Sequence, residues 1–167
     1  PPCPSAGGRG ELDSPRAVID RVNTDMTRYL SHTCFVTAFV GYLDLHDNKL
    51  TYCNAGQSGQ FVYSRKEQRL RMLSPSGTAM GVTCEEVYEE KSVHLHPGDW
   101  LIIHTNGIYG LYDGNDECAG RRAFEAFLRD HLQGFTPGEL MNRLKPHYTQ
   151  TDRRPDELDD IAVLGVN

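Results

Sequence analysis

The chain has 167 residues, 38% of them hydrophobic and 24% charged, a composition that fits one soluble globular domain. Seventeen Lys and Arg stand against 23 Asp and Glu, a formal charge of −6. With no long basic run to offset it, that balance excludes a nucleic-acid footprint. No stretch reaches the roughly 18 apolar residues of a membrane span, and no signal peptide is visible. The five cysteines (Cys3, Cys34, Cys53, Cys84, Cys118) are scattered and lack CxxC spacing. They read as small buried side chains of a protein in a reducing, cytoplasmic compartment.

The opening "PPCPSAGGRG" is rich in Pro, Gly and Ser without periodicity, so residues 1–13 are expected to be loop or linker. In "DSPRAVIDRVNTDMTRYL", Val18, Val22, Met26 and Tyr29 recur at helical spacing, with Ser14 as N-cap and Pro15 at the first helical position. "CFVTAFVGYLDL" is apolar on both faces and predicts a buried strand. "HDNK" is a hairpin turn, and "LTYCNAGQSGQFVYS" is its partner strand, interrupted by small residues from Ala55 to Gly59.

"RKEQ" turns into the strand "RLRMLS", and the loop "PSGTAMGV" leads to the alternating strand "YEEKSVHLH". After the turn "PGD" comes the strand "WLIIHT". A helix follows with Phe124, Phe127, Leu128, His131 and Leu132 on one face. "TPGELMNRLKPHYTQ" opens with a Thr136/Glu139 capping box and Pro137 at the first helical position, and Pro146 is expected to end or kink that helix. "TDRRPDELDD" is a charged loop, and "IAVLGV" a last short strand. Successive hairpins and flanking helices together predict an α+β fold, with an antiparallel sheet under helices.

Chemistry is sought where strands end in polar residues. "HTNG" closes one strand and "ELDD" opens the last. Asp159 and Asp160 read either as the surface end of a loop or, for one of them, as a ligand of a hard cation such as Mg²⁺ or Mn²⁺, whose oxygen-only sites are built from such carboxylates and water. Neither His94 nor His96 finds further ligands at zinc spacing. "GQSG" lacks the helix and Lys of a P-loop. Ser58, Ser64 and Ser74 lie outside any Gly-x-Ser-x-Gly elbow, which removes the serine-hydrolase class.

Taken in order, five segments resemble the bacterial metal-dependent serine/threonine phosphatases of the SpoIIE/RsbU type: "SPRAVIDRVNTDM", "FVTAFVGYLDLHDNKLTYCNAGQSGQFVY", "SGTAMGV", "VHLHPGDWLIIHTNGIYGLYDGNDECAG" and "PDELDDIAVLGV". The resemblance runs from about Ser14 to the C-terminus and implies an antiparallel β-sandwich flanked by helices. It further implies a two-ion Mn²⁺ or Mg²⁺ site whose shared water attacks a phosphoserine or phosphothreonine.

The family's YTDG aspartate falls on Asn106, followed by Gly107, and the first aspartate of its DD pair falls on Asp159, with Asp160 beside it in a supporting place. Gln57 stands where the family's NAGH has histidine, next to Asn54, so both fall on the substrate side. The family's GD-x-x-GHG metal segment matches nothing here, so residues 14–167 are expected to form an incomplete domain with weak or absent metal binding.

The expected partner is a phosphorylated regulatory protein of the anti-sigma-factor-antagonist type, with a sensory or receiver domain upstream. A non-catalytic, phosphoprotein-binding relative is the alternative. An incomplete sandwich also implies self-association through Phe35, Phe39 and Ile102.

Overall fold

The structure, a computed structural model, describes residues 14–29, 34–112, 116–149 and 162–166. The expected linker at 1–13 and the acidic pair Asp159 and Asp160 lie outside these residues. The mixed α+β class with antiparallel sheets is the one observed. The chain forms two compact units, one from Pro1–Gln57 and Ser74–Leu95 and the other from Ser58–Leu73 and His96–Asn167.

In the first unit, α1 (Pro15–Tyr29) packs on a three-stranded sheet of order β1 (Ala38–Asp44), β2 (Lys49–Ala55) and β5 (Glu90–His94). Ser14 caps α1 as the sequence implies, its Oγ accepting the Ala17 N–H at 3.2 Å. The face that α1 buries is Pro15, Ile19 and Asn23, while Val22 and Tyr29 are exposed. The apolar spacing marks the helix correctly but not its inward face, because a polar residue helps to anchor it. Asn23 is buried, accepting the Gly81 N–H at 2.8 Å and donating to the Thr83 carbonyl at 2.9 Å. Ile19, Cys53, Ala55, Met80 and Tyr88 make up a small core, with burial pushing the Tyr88 hydroxyl up to about 12.

The expectation that the segment around Phe35 forms a strand buried on both faces is corrected. β1 is an edge strand, and Gly41, Tyr42, Leu43 and Asp44 are exposed. Tyr42 and Leu43 are apolar yet exposed, so hydrophobicity does not amount to burial there.

The second unit holds a four-stranded antiparallel sheet of order β4 (Arg69–Leu73), β3 (Gln60–Ser64), β6 (Trp100–His104) and β7 (Val163–Val166). The segment read as one interrupted strand, Leu50 to Ser64, is two strands in different sheets. Gly56 makes the break, with φ +66° and its backbone so close to Ala79 that a Cβ would lie 2.6 Å from the Ala79 nitrogen. Strands β5 and β6 flank the "PGD" turn without pairing to each other; they pair with β2 and β3.

α2 (Gly107–Gly110) is a single turn that the sequence does not announce. α3 (Glu117–His131) and α4 (Pro137–Thr149) follow it. Phe61, Tyr63, Trp100 and Ile102 alternate along β3 and β6 and meet Phe124, Leu128, Leu140 and Leu144 of the helices in one large core. Asp116 caps α3 through the N–H groups of Cys118 and Ala119. The Thr136/Glu139 capping box is present, with Glu139 accepting the Thr136 N–H at 2.7 Å. Pro146 does not end α4, which continues to Thr149, although the residue has no N–H to give to the helix ladder. Ile102 is wholly buried, which removes it from any association surface.

Candidate active site

Strand β6 delivers its polar end to a defined position. At its start, buried Asp99 fixes the "PGD" turn by accepting the Arg65 N–H at 3.0 Å through Oδ1 and the His96 N–H at 2.9 Å through Oδ2. At its far end, Gln60 acts as a peptide mimic: Oε1 accepts the His104 N–H at 2.6 Å and Nε2 donates to the His104 carbonyl at 3.2 Å. Gln60 is fully buried. The sequence reading overlooks it, although a lone amide in an otherwise apolar strand is the signal that would have marked it.

His104 is buried between the carbonyls of Thr105, 3.0 Å from Nδ1, and Gly59, 3.1 Å from Nε2. Burial pulls its imidazole below the usual histidine range, against the two carbonyls, which favour protonation. The ring stacks on Phe61 and meets Tyr109 and Phe124 edge-on, locking the base of the turn that follows.

Thr105 then ties the turn to the last strand. Its N–H donates to the Ala162 carbonyl at 3.1 Å, and its Oγ1 accepts the Ala162 N–H at 3.0 Å. The chain that follows Asp159 and Asp160 thus runs beside the residue preceding Asn106. Asn106 is the N-cap of α2 and is exposed. Its backbone is helical (φ −65°, ψ −22°), and its side chain makes no capping bond. Gly107 is buried, so the amide of Asn106 is the polar group presented at the end of β6.

In the first unit, Asn54 is fully buried and its Oδ1 accepts the Gln57 N–H at 2.9 Å, shaping the "NAGQ" turn. Its Nδ2 is buried without a hydrogen-bond partner. Gln57 is half-buried, and its Oε1 accepts from the Thr37 hydroxyl at 2.7 Å. The structure therefore joins Asn54 to Gln57 through a turn, and Asn106 to Gly107 in another.

No three His, Cys, Asp or Glu gather among the described residues in a group able to hold a metal ion. At the β6 turn, Asn106 brings one neutral oxygen. Hard divalent cations owe much of their affinity to the number of carboxylates around them, so the described residues alone do not fit a two-ion site.

The fold is similar to that of solved PP2C phosphatase domains. It matches the SiaA-PP2C domain of Pseudomonas aeruginosa with a TM-score of 0.72 at 21% identity, over 91% of this chain and 60% of that one. The model of the Stage II sporulation protein E (SpoIIE) family matches residues 8–167, and the chain belongs to that family. Among characterised relatives, Protein IcfG of Synechocystis sp. is 26% identical over 132 residues, 79% of this chain and 20% of that protein. Phosphoserine phosphatase RsbU of Bacillus subtilis is 24% identical over 94 residues, 56% of this chain and 28% of that protein. The chain thus spans less than a third of the length of either relative. No helix among the described residues is long and apolar enough to cross a membrane.

Proposed function

We propose that this chain serves as a serine/threonine phosphatase domain directed at a phosphorylated regulatory protein, and that Asn106 leaves it with little hydrolytic activity as it stands. The observation that carries the reading is the exposed Asn106 amide at the end of β6, held beside the strand that follows Asp159 and Asp160. In family members of this type the corresponding turn presents a carboxylate. An amide of the same shape keeps the geometry and removes one negative charge.

On this reading Asp159 is the remaining metal-ligating carboxylate for Mn²⁺ or Mg²⁺, and Asp160 and Gly107 support the site. The resemblance assigns Asn54 and Gln57 to substrate contacts, and Asn54 positions the turn that carries Gln57. Asn106 and Gln57, neutral where the resemblance implies an aspartate and a histidine, support a second reading: a phosphoprotein-binding regulatory module without catalysis. Both readings predict the same order of metal affinity.

Calorimetry with Mn²⁺ is expected to show weak binding by the chain, at least tenfold tighter binding by Asn106→Asp, and none by Asp159→Ala. Equal affinities for all three would remove Asn106 and Asp159 from the site. Vigorous Mn²⁺-dependent phosphate release from a phosphoserine peptide by the unaltered chain would show that Asn106 does not limit hydrolysis.

A further inference from the structure

The chain carries net negative charge, yet its β3–β4 hairpin carries Arg65, Lys66, Arg69 and Arg71 against the single carboxylate Glu67. All four cations are exposed, and none has an ion-pair partner among the described residues. Four cations on the helices differ from them: Arg16, Arg21, Arg121 and Arg129 each face an acidic residue one helical turn away. With its four cations beside one carboxylate, the hairpin is a local concentration of positive charge among the described residues.

Geometry adds to charge. β4 is an edge strand, so alternate N–H and C=O groups of Arg69–Leu73 point away from the sheet. Arg69 and Arg71 share one face by strand alternation, and Met72 between them and the strand end is 40% exposed. An extended partner strand with acidic residues at alternate positions would match this edge in backbone hydrogen bonds and in charge.

We propose that β4 is a docking edge for an extended acidic segment of a protein partner, which joins the sheet as a further strand beside Arg69 and Arg71. The idea rests on the phosphoprotein reading in one respect only, that the same partner carries the phosphorylated residue. The ladder sets where that residue falls. Met72 lies opposite Phe61, which lies opposite Ile102, so β4 and β6 run in the same direction towards Asn106. A docked strand is three strand spacings from β6, and Asn106 lies five residues beyond Leu101, the row of Arg71. The separation is roughly 22 Å, which an extended linker of about seven residues covers.

Edge cations also serve simply to repel other strands, and binding decides between the two roles. The probe is a fluorescein-labelled peptide of five alternating Glu-Thr pairs, seven Gly and Ser residues and a terminal phosphoserine. It is expected to bind, to weaken as salt rises, and to lose at least tenfold in affinity when Arg69→Glu and Arg71→Glu are combined. Arg122→Glu, an exposed charge reversal on α3 of half that size, is expected to change affinity less than twofold.

Absence of binding, or an equal loss with Arg122→Glu, overturns the docking edge. So does undiminished binding of a peptide methylated at alternate backbone nitrogens, which cannot pair as a strand. A single-stranded DNA oligomer that binds more tightly than the peptide and is released by the same pair of substitutions overturns the protein partner. Equal binding of the peptide with and without its phosphate upholds the edge and counts against the phosphoprotein reading instead.

Discussion

The two units bury their apolar residues to very different extents. In the second, alternating side chains of β3 and β6 meet two amphipathic helices, and twelve hydrophobic residues form one buried cluster. In the first, the cluster has five members, although β1 brings Ala38, Phe39, Val40, Tyr42 and Leu43 and is as apolar in sequence as the strands of the second unit. Nine of the eleven large apolar side chains exposed among the described residues belong to the first unit, including Phe35, Val36, Tyr42, Leu43 and Leu45. A strand's hydrophobicity therefore states a demand for cover, and the cover comes from elements elsewhere in the chain or outside it.

The largest expected effect tests that contrast directly. Phe124 is fully buried against Phe61, His104, Tyr109 and Tyr112, so Phe124→Ala is expected to cost about 3–5 kcal/mol in denaturant unfolding. Phe35 is 67% exposed, and Phe35→Ser is expected to stay within about 0.5 kcal/mol. The same substitution is expected to reduce self-association in sedimentation at high concentration, with Phe39, half-buried, contributing less. A large stability loss at Phe35 would mean that its ring is covered, and the contrast between the units would fail.

A smaller effect separates the two buried amides. Asn23 in the first unit and Gln60 in the second each satisfy backbone groups that have no strand partner, and Ala at either position leaves those groups unpaired. Unsatisfied buried groups cost about 1–3 kcal/mol each. Both Gln60 bonds to His104 are buried, while the Asn23 bond to Thr83 is partly open to water. Gln60→Ala is accordingly expected to be the more destabilising in urea titrations. The reverse order would place the tighter anchoring in the first unit.

What the sequence revealed follows the same division between local and distant causes. The ends of α1 and α4 were legible because Ser14 and the Thr136/Glu139 pair act on backbone groups within one turn. The polar turn after β6 was legible too, since an apolar run ending in "HTNG" needs no distant partner to be recognised. The inward face of α1 was not, because Asn23 acquires its role from residues near position 82, far along the chain. Nor was the division of Leu50–Ser64 between two sheets, because the small residues Ala55 to Gly59 mark an interruption without showing that the chain resumes in another sheet after the turn at Gly56. Residue types alone suggested a cation at Asp159 or Asp160, whereas Asn106 entered the site by its alignment with a family motif. The pairing of Thr105 with Ala162 supplies the spatial reason for bringing the two segments together.

The smallest effect concerns the hairpin turns that each unit uses. Both turns end in a left-handed residue: Asn48 with φ 50° between β1 and β2, and Gln68 with φ 49° between β3 and β4. Asparagine tolerates this region because its short side chain bonds locally, whereas glutamine meets the ordinary Cβ penalty of about 1 kcal/mol or more. Glycine removes that penalty and gives part of it back through greater freedom in the unfolded chain. Gln68→Gly is therefore expected to stabilise the protein by about 0.5 kcal/mol, a rise of about 1–2 °C in thermal melting for a chain of this size. Asn48→Gly is expected to change it by no more than a few tenths of a kcal/mol. Because Gln68 precedes Arg69 without belonging to the strand, its replacement is also expected to leave the acidic peptide's affinity within twofold. Equal gains at the two turns would mean that the hairpins are strained alike, and that the choice of Asn over Gln carries no conformational benefit.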